Sequence, residues 1–193
     1  MAPSQALARY LEARSAVAGR ASVSAPSSEA TRRRGADLSA YLTECLDAAM
    51  VDLSQGAEGW AVVAIGGYGR GDLARHSDID VLLLVEEGAA DRALRSLYPL
   101  WDAALKVGHA IRSVREIADS AQSNVETYTA LLDTRLLAGD TGLYEAFVRD
   151  RRSWVRKTRD WLRDELVVTR AARVGMEPWQ TLAVDVKNSR GGL

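Results

Sequence analysis

Val81 to Val85 is an unbroken apolar run, and two acids, Asp78 and Asp80, stand at its head. A strand that is apolar at every position, rather than at alternate ones, is covered on both faces. The acids therefore sit where a buried strand begins. Successive strand side chains point to opposite faces, which puts Asp78 and Asp80 on one face, about 6.5 to 7 Å apart along the strand. Charge is costly to bury unless it is paired, hydrogen-bonded or on a metal, and two carboxylates so placed can share divalent ions. An isolated Asp-x-Asp is more often the end of a solvated turn. The residues upstream reverse that weighing here.

Trp60 to Ile65 is a second short apolar run, and it delivers the chain directly into Gly66 and Gly67. Glycines at a strand exit let the backbone approach a ligand closely and leave amides for phosphate oxygens. A lone Gly-Gly is an ordinary turn, and the stretch is neither a dinucleotide fingerprint nor a Walker loop. The combination of glycine turn and paired acids is what has weight.

Gly66-Gly67, ten intervening residues, then Asp78-x-Asp80 followed by aliphatics resembles the signature of the DNA polymerase beta type nucleotidyltransferase superfamily. Four blocks in order narrow the match. They are Gly66 to Asp80, Leu105 to Arg112, Thr129 to Asp140 and Asp185 to Leu193, and together they look like the N-terminal part of the PII uridylyltransferase/uridylyl-removing enzymes. The resemblance implies transfer of UMP, or AMP, from a nucleoside triphosphate to a tyrosine of the PII nitrogen-regulatory protein. It also implies Mg²⁺ as cofactor, and a longer chain that continues into a hydrolase and ACT domains. The 193 residues are accordingly expected to be a truncated transferase fragment. The alternatives are transfer to a small molecule and a nucleotide-binding regulatory module without turnover. A bias to arginine and alanine over lysine suggests a high-GC genome, and UTP versus ATP stays open.

The length suits one domain with a helical appendage, and a net charge of −1 with 26% charged residues is ordinary for a globular protein. The basic clusters Arg32 to Arg34 and Arg149 to Arg159 are flanked by or interleaved with acids, unlike the basic face of a nucleic-acid enzyme. No nucleic-acid partner is expected. Cys45 is the only cysteine, which excludes an internal disulfide and a cysteine zinc site. No apolar run approaches membrane-spanning length, so no membrane partner is expected and the cytoplasm is the expected compartment.

Periodicity predicts helices over residues 4–19 and 29–53, with Cys45 on the core face of the second. Strands follow at 60–65 and 81–85, a helix at 89–105 and a third strand at Val107 to Arg112. Ser113-Val-Arg-Glu116 reads as a capping box. Helices are then expected at 125–137, 143–149 and 151–173, the last with Trp154, Val155, Trp161, Leu162 and Leu166 facing inward. The fold class is α+β: a small mixed β-sheet core flanked by helices, with a helical C-terminal part. The expected domains are an N-terminal helix and linker (1–28), a nucleotidyltransferase core (29–115) and a helical segment (116–193).

Nucleotidyl transfer displaces pyrophosphate from the α-phosphorus, and a site for it must gather anions and divalent cations. Asp78 and Asp80 are the expected metal ligands and catalytic acids. Gly66 and Gly67 would cradle the triphosphate, with Arg70 and Ser77 as further nucleotide contacts. Arg70 is as readily read as a surface partner of Asp72. The superfamily resemblance implies a third carboxylate on a following strand, yet Val107 to Arg112 has none. Asp133 is the substitute expected to act as general base. His109 is read as a packed strand histidine, and Arg112 and Lys187 as weaker phosphate candidates.

Overall fold

The two apolar runs become neighbouring antiparallel strands, β1 (Trp60–Ile65) and β2 (Ile79–Val85), paired from Trp60 opposite Val85 to Ala64 opposite Val81. The computed structural model describes residues 3–20, 28–121 and 124–174. Strand β3 (Val107–Arg112) adds parallel to β2, and β4 (Thr134–Gly139) adds antiparallel to the other side of β1. The result is a four-stranded mixed sheet in the order β3-β2-β1-β4. The chain divides into two units, Met1–Arg149 and Asp150–Leu193, and the sheet belongs entirely to the first.

Both faces of the central strands are covered, as their continuous apolarity requires. On one face Trp60, Val62, Ala64, Ile79, Val81 and Leu83 join a core with residues of α1 (Gln5–Arg20) and α2 (Ser28–Leu53). Leu7 and Tyr10 come from α1; Leu42, Cys45, Leu46 and Met50 come from α2. The opposite face presents Ala61, Val63, Leu82 and Leu84, which are equally buried. Helices α6 (Val114–Ala121) and α7 (Val125–Ala130) lie over this second face and bury Ile117 and Tyr128. Each such Leu, Ile or Val contributes roughly 1.5–3 kcal/mol by leaving water.

Local chemistry sets the ends of the covering helices. Glu116 accepts from the Ser113 backbone N–H at 2.8 Å, the return half of the predicted capping box. The Ser113 hydroxyl donates to the same carboxylate at 2.9 Å, and the Glu116 amide donates to the Ser113 carbonyl at 3.2 Å. Asn124 Oδ1 accepts from the amides of Glu126 (2.7 Å) and Thr127 (3.0 Å), which starts α7.

Three expectations are corrected. The helix predicted over 125–137 stops at Ala130, and Thr134 to Gly139 is instead β4. Leu131, Leu132, Leu136 and Leu137 fit a helical stripe, but β1 has an open edge and its pairing decides the outcome. The helix predicted over 89–105 is two short ones, α4 (Ala90–Arg95) and α5 (Tyr98–Asp102). Pro99, in the first turn of α5, has no N–H for a continuous helix. Beyond β4, α8 (Thr141–Lys157) runs through the predicted break near 150, and α9 (Arg159–Val174) follows after Thr158. The Thr158 hydroxyl donates back to the Trp154 carbonyl at 2.8 Å. Trp154 is buried as expected, whereas Leu166 is exposed. Most of the expected linker, together with Asp185 and Lys187, lies outside the described residues.

Candidate active site

Asp80 sits one residue into β2 and directly opposite Gly108 of β3. The pairing starts with the Ile79 amide donating to the Lys106 carbonyl at 2.9 Å, which fixes Asp78 immediately before the strand. A Cβ built on Gly108 would collide with Oδ1 of Asp80. The carboxylate therefore lies across the bare backbone of β3 and occupies the space of the missing side chain. It borders a cavity of about 440 Å³ between the second sheet face and helices α6 and α7, whose lining includes Ile65, Arg112, Thr127, Ala130 and Leu131.

The glycine turn leaves β1 directly after Ile65, which lines this cavity. Gly66 and Gly67 open a five-residue helix, α3 (Gly66–Arg70), as β1 ends at Ile65. Gly66 has φ +58°, a left-handed value that glycine adopts without strain. Its missing Cβ would lie 3.8 Å from the Cβ of Ala130, which lines the cavity. At Gly67 a Cβ would meet only Nη2 of Arg70, at 3.8 Å. The backbone there is open to a ligand. Gly71, at φ +83°, ends the helix, and its carbonyl accepts from the Thr43 hydroxyl of α2 at 2.9 Å.

Arg70 spans the turn. Its Nη1 donates to Asp133 at 2.8 Å and its Nε to Asp72 at 3.1 Å, and its side chain is half exposed. The hydrogen bond it donates to Asp133, then the one it donates to Asp72, holds its pKa above the ordinary arginine value. Ser77 Oγ accepts from the Ala74 amide at 3.0 Å and shapes the turn before Asp78, leaving its O–H as a donor. Asp133 precedes β4, and the register sets Thr134 beside Ile65 of β1. Continued by one residue, the β1–β2 register sets Ile65 beside Asp80, so the Asp133 backbone stands two strands, roughly 10 Å, across the sheet. His109 packs edge-on against Trp101 with ring centroids 5.2 Å apart, on the sheet face turned away from Asp80.

Residues 49–128 match the family described as "Nucleotidyltransferase domain". Residues 49–128 are a nucleotidyltransferase domain. Curated relatives extend the similarity further. A "Bifunctional uridylyltransferase/uridylyl-removing enzyme" of Methylococcus capsulatus is 40% identical over 125 residues, 63% of this chain and 14% of its own. The proteins of that name in Streptomyces coelicolor and Mycobacterium tuberculosis are 40% and 38% identical over 144 residues, 70% and 71% of this chain. The chain spans only 14 to 18% of the length of these three relatives. A crystal structure of a "toxin-antitoxin with AMP-PNP" aligns over 60% of this chain with TM-score 0.35 and 16% identity, too slight a likeness for any argument.

The nucleotidyltransferase domain holds its turn with residues that sequence reasoning missed. A Cβ on Gly69 would collide with the carbonyl of Asp133, so α3 and the start of β4 touch backbone to backbone. Arg135 of β4 is bonded to Asp47 of α2, 88 residues away, with Nη1 to Oδ2 at 2.5 Å and Nη2 to Oδ1 at 3.1 Å. It caps the turn from outside, donating to the Tyr68 carbonyl at 3.3 Å with Cζ 5.6 Å from the Tyr68 ring centroid. Tyr68 is buried, and burial, followed by the neighbouring Asp47 carboxylate, pushes its hydroxyl pKa far above the ordinary tyrosine value. It is a neutral anchor. Such pairings leave no local sequence signal. The clash at Gly108 was equally invisible, although a glycine interrupting a strand is a known sign of close approach.

Among the described residues, no group of three or more His, Cys, Asp or Glu side chains is arranged to hold a metal ion. A cation here would rely on the two aspartates together with oxygens of the substrate and water.

Proposed function

We propose that this domain transfers a nucleotidyl group, UMP or AMP, from a Mg²⁺-bound nucleoside triphosphate to a tyrosine of a PII signalling protein in the cytoplasm. The observation that carries the reading is the seating of the Asp80 carboxylate over Gly108, on a cavity also lined by Ile65, the residue from which the glycine turn departs. A nucleoside in that cavity would have its phosphates between paired acids and open backbone. The uridylyltransferase relatives support the chemistry, and the four-block resemblance supports the acceptor.

The donor set fits Mg²⁺, which binds through one or two carboxylates plus substrate phosphates and keeps several waters. Asp78 and Asp80 would hold it. When bound, the ion supplies charge neutralisation at the entering and leaving oxygens. The protein's own residues do the rest. Gly66 and Gly67 let the phosphates approach the backbone, and Arg70 faces the same turn as a fixed cation. The acceptor oxygen forms its bond to the α-phosphorus as the bond to the bridging oxygen of pyrophosphate breaks. Asp133 is our candidate to take the phenolic proton, once phosphate competes for Arg70 and loosens that pair.

The test is to incubate the chain with a PII protein, Mg²⁺ and labelled UTP or ATP in turn. Labelling of PII by one nucleotide, abolished by chelator, is the expected result. Tight nucleotide binding with no labelled product, on PII or on small hydroxyl acceptors, would instead make it a binding module.

A further inference from the structure

We infer that Arg135, locked by Asp47, is a positioning residue that sets the glycine turn for nucleotide from outside the cavity. The inference rests on reading that turn as the phosphate-binding element. Three of the five residues of α3 are glycines, which lose the most conformational freedom on ordering. One turn of helix is also too short to hold itself, because nucleation is unfavourable. The shape of α3 must therefore be imposed by its neighbours.

Those neighbours come from two elements. Thr43 of α2 fixes the exit at Gly71, and the Asp133 carbonyl blocks any outward shift at Gly69. Among the described residues, Arg135 joins both elements to the middle of the turn. Its two bonds to Asp47 fix the plane of the guanidinium, and that plane presents a donor to the Tyr68 carbonyl while covering the Tyr68 ring. The ring is itself buried at 1% exposure, so the turn cannot rotate without opening the core. Arg135 does not line the cavity. Its influence on a bound nucleotide passes through Tyr68 and the backbone of the turn.

Both partners are about one-third open to solvent, at 35% and 28% exposure, so charge alone adds only modest stability and the bidentate geometry accounts for more of the pair's worth. Its value lies in geometry, and this gives a test that a purely stabilising pair would not pass. Arg135→Lys keeps the charge opposite Asp47 and an aliphatic stem over Tyr68, but loses the planar fork. Titrating Mg²⁺-UTP and Mg²⁺-ATP into wild type, Arg135→Lys and Asp47→Asn, with melting curves and labelling kinetics alongside, separates the possibilities. Expected is a melting temperature close to wild type for Arg135→Lys, with nucleotide bound about tenfold more weakly, equivalent to about 1.4 kcal/mol. KM for nucleotide rises while kcat stays near wild type, and Asp47→Asn shifts in the same direction.

Wild-type affinity and KM in both variants would overturn the inference. So would a loss of affinity that merely follows the unfolded fraction at the assay temperature, because that is a structural role. If wild type itself binds neither nucleotide, the reading of the turn fails first and takes this inference with it.

Discussion

The Asp80 carboxylate fills the place that a side chain on Gly108 would occupy. The two residues face each other across β2 and β3, so the acid's position depends on a glycine 28 residues later in the sequence. In Gly108→Ala the colliding atom is the tip of a flexible side chain, and the fold can yield by turning Asp80 aside. The expected protein melts within a few degrees of wild type and loses at least tenfold in Mg²⁺-dependent transfer. Melting curves and a labelling assay check both halves; full activity would mean that the seat of Asp80 is incidental.

Either aspartate changed to Asn keeps its size and removes its charge. Asp78→Asn and Asp80→Asn should therefore retain the fold and lose transfer by about 10²-fold or more, because each removes a cation ligand. Circular dichroism beside turnover is sufficient. Near-normal activity of Asp80→Asn would remove the acid pair from the mechanism.

Two glycines of the same turn should behave oppositely. A Cβ at Gly67 meets only the tip of Arg70 at ordinary contact distance, whereas one at Gly69 meets the backbone of Asp133. Gly67→Ala is expected to melt like wild type but need more nucleotide. Gly69→Ala is expected to lose about 1–3 kcal/mol of stability through overpacking. Denaturant titration and nucleotide titration of both variants resolve the contrast.

The parts legible in the sequence were those with a one-dimensional signature. β1 and β2 announce themselves as short apolar runs and β3 by its place after a helix, and the acids and glycines are marked by position. What the sequence concealed is long-range. Thr134 to Gly139 becomes a strand because β1 offers an edge, with a bulge at Val62/Val63 absorbing the mismatch. Asp47 and Arg135 meet only after α2 and β4 have both docked. Pro99 marks the break at Ser96 and Leu97, which the apolar stripe of residues 94–105 masks.

The cap at Ser113 gives a stability signature with a definite sign. The Ser113 amide, then its hydroxyl, lowers the pKa of Glu116 in the folded protein. A carboxylate with a depressed folded pKa contributes stability above its unfolded value of about 4.3, lost as pH falls through the folded value. Melting temperatures of wild type and Glu116→Gln should differ at pH 7 and converge in acid below that window. A pH-independent gap would mean that the charge of Glu116 is irrelevant to α6, the helix whose Ile117 lines the cavity.

The role proposed for Asp133 turns on its pairing with Arg70. Their 2.8 Å pair occupies the carboxylate, and phosphate at Gly67 would compete for the same guanidinium. Removing the charge in Asp133→Asn frees Arg70 for phosphate, so nucleotide affinity should be unchanged or higher. Transfer to a phenol of pKa about 10 should nevertheless slow, with a deficit that shrinks as pH rises and the acceptor ionises unaided. The paired measurement is nucleotide affinity and a pH–rate profile from pH 6 to 10. Parallel profiles for mutant and wild type would leave Asp133 as a tether for Arg70 and move the proton acceptor to another group.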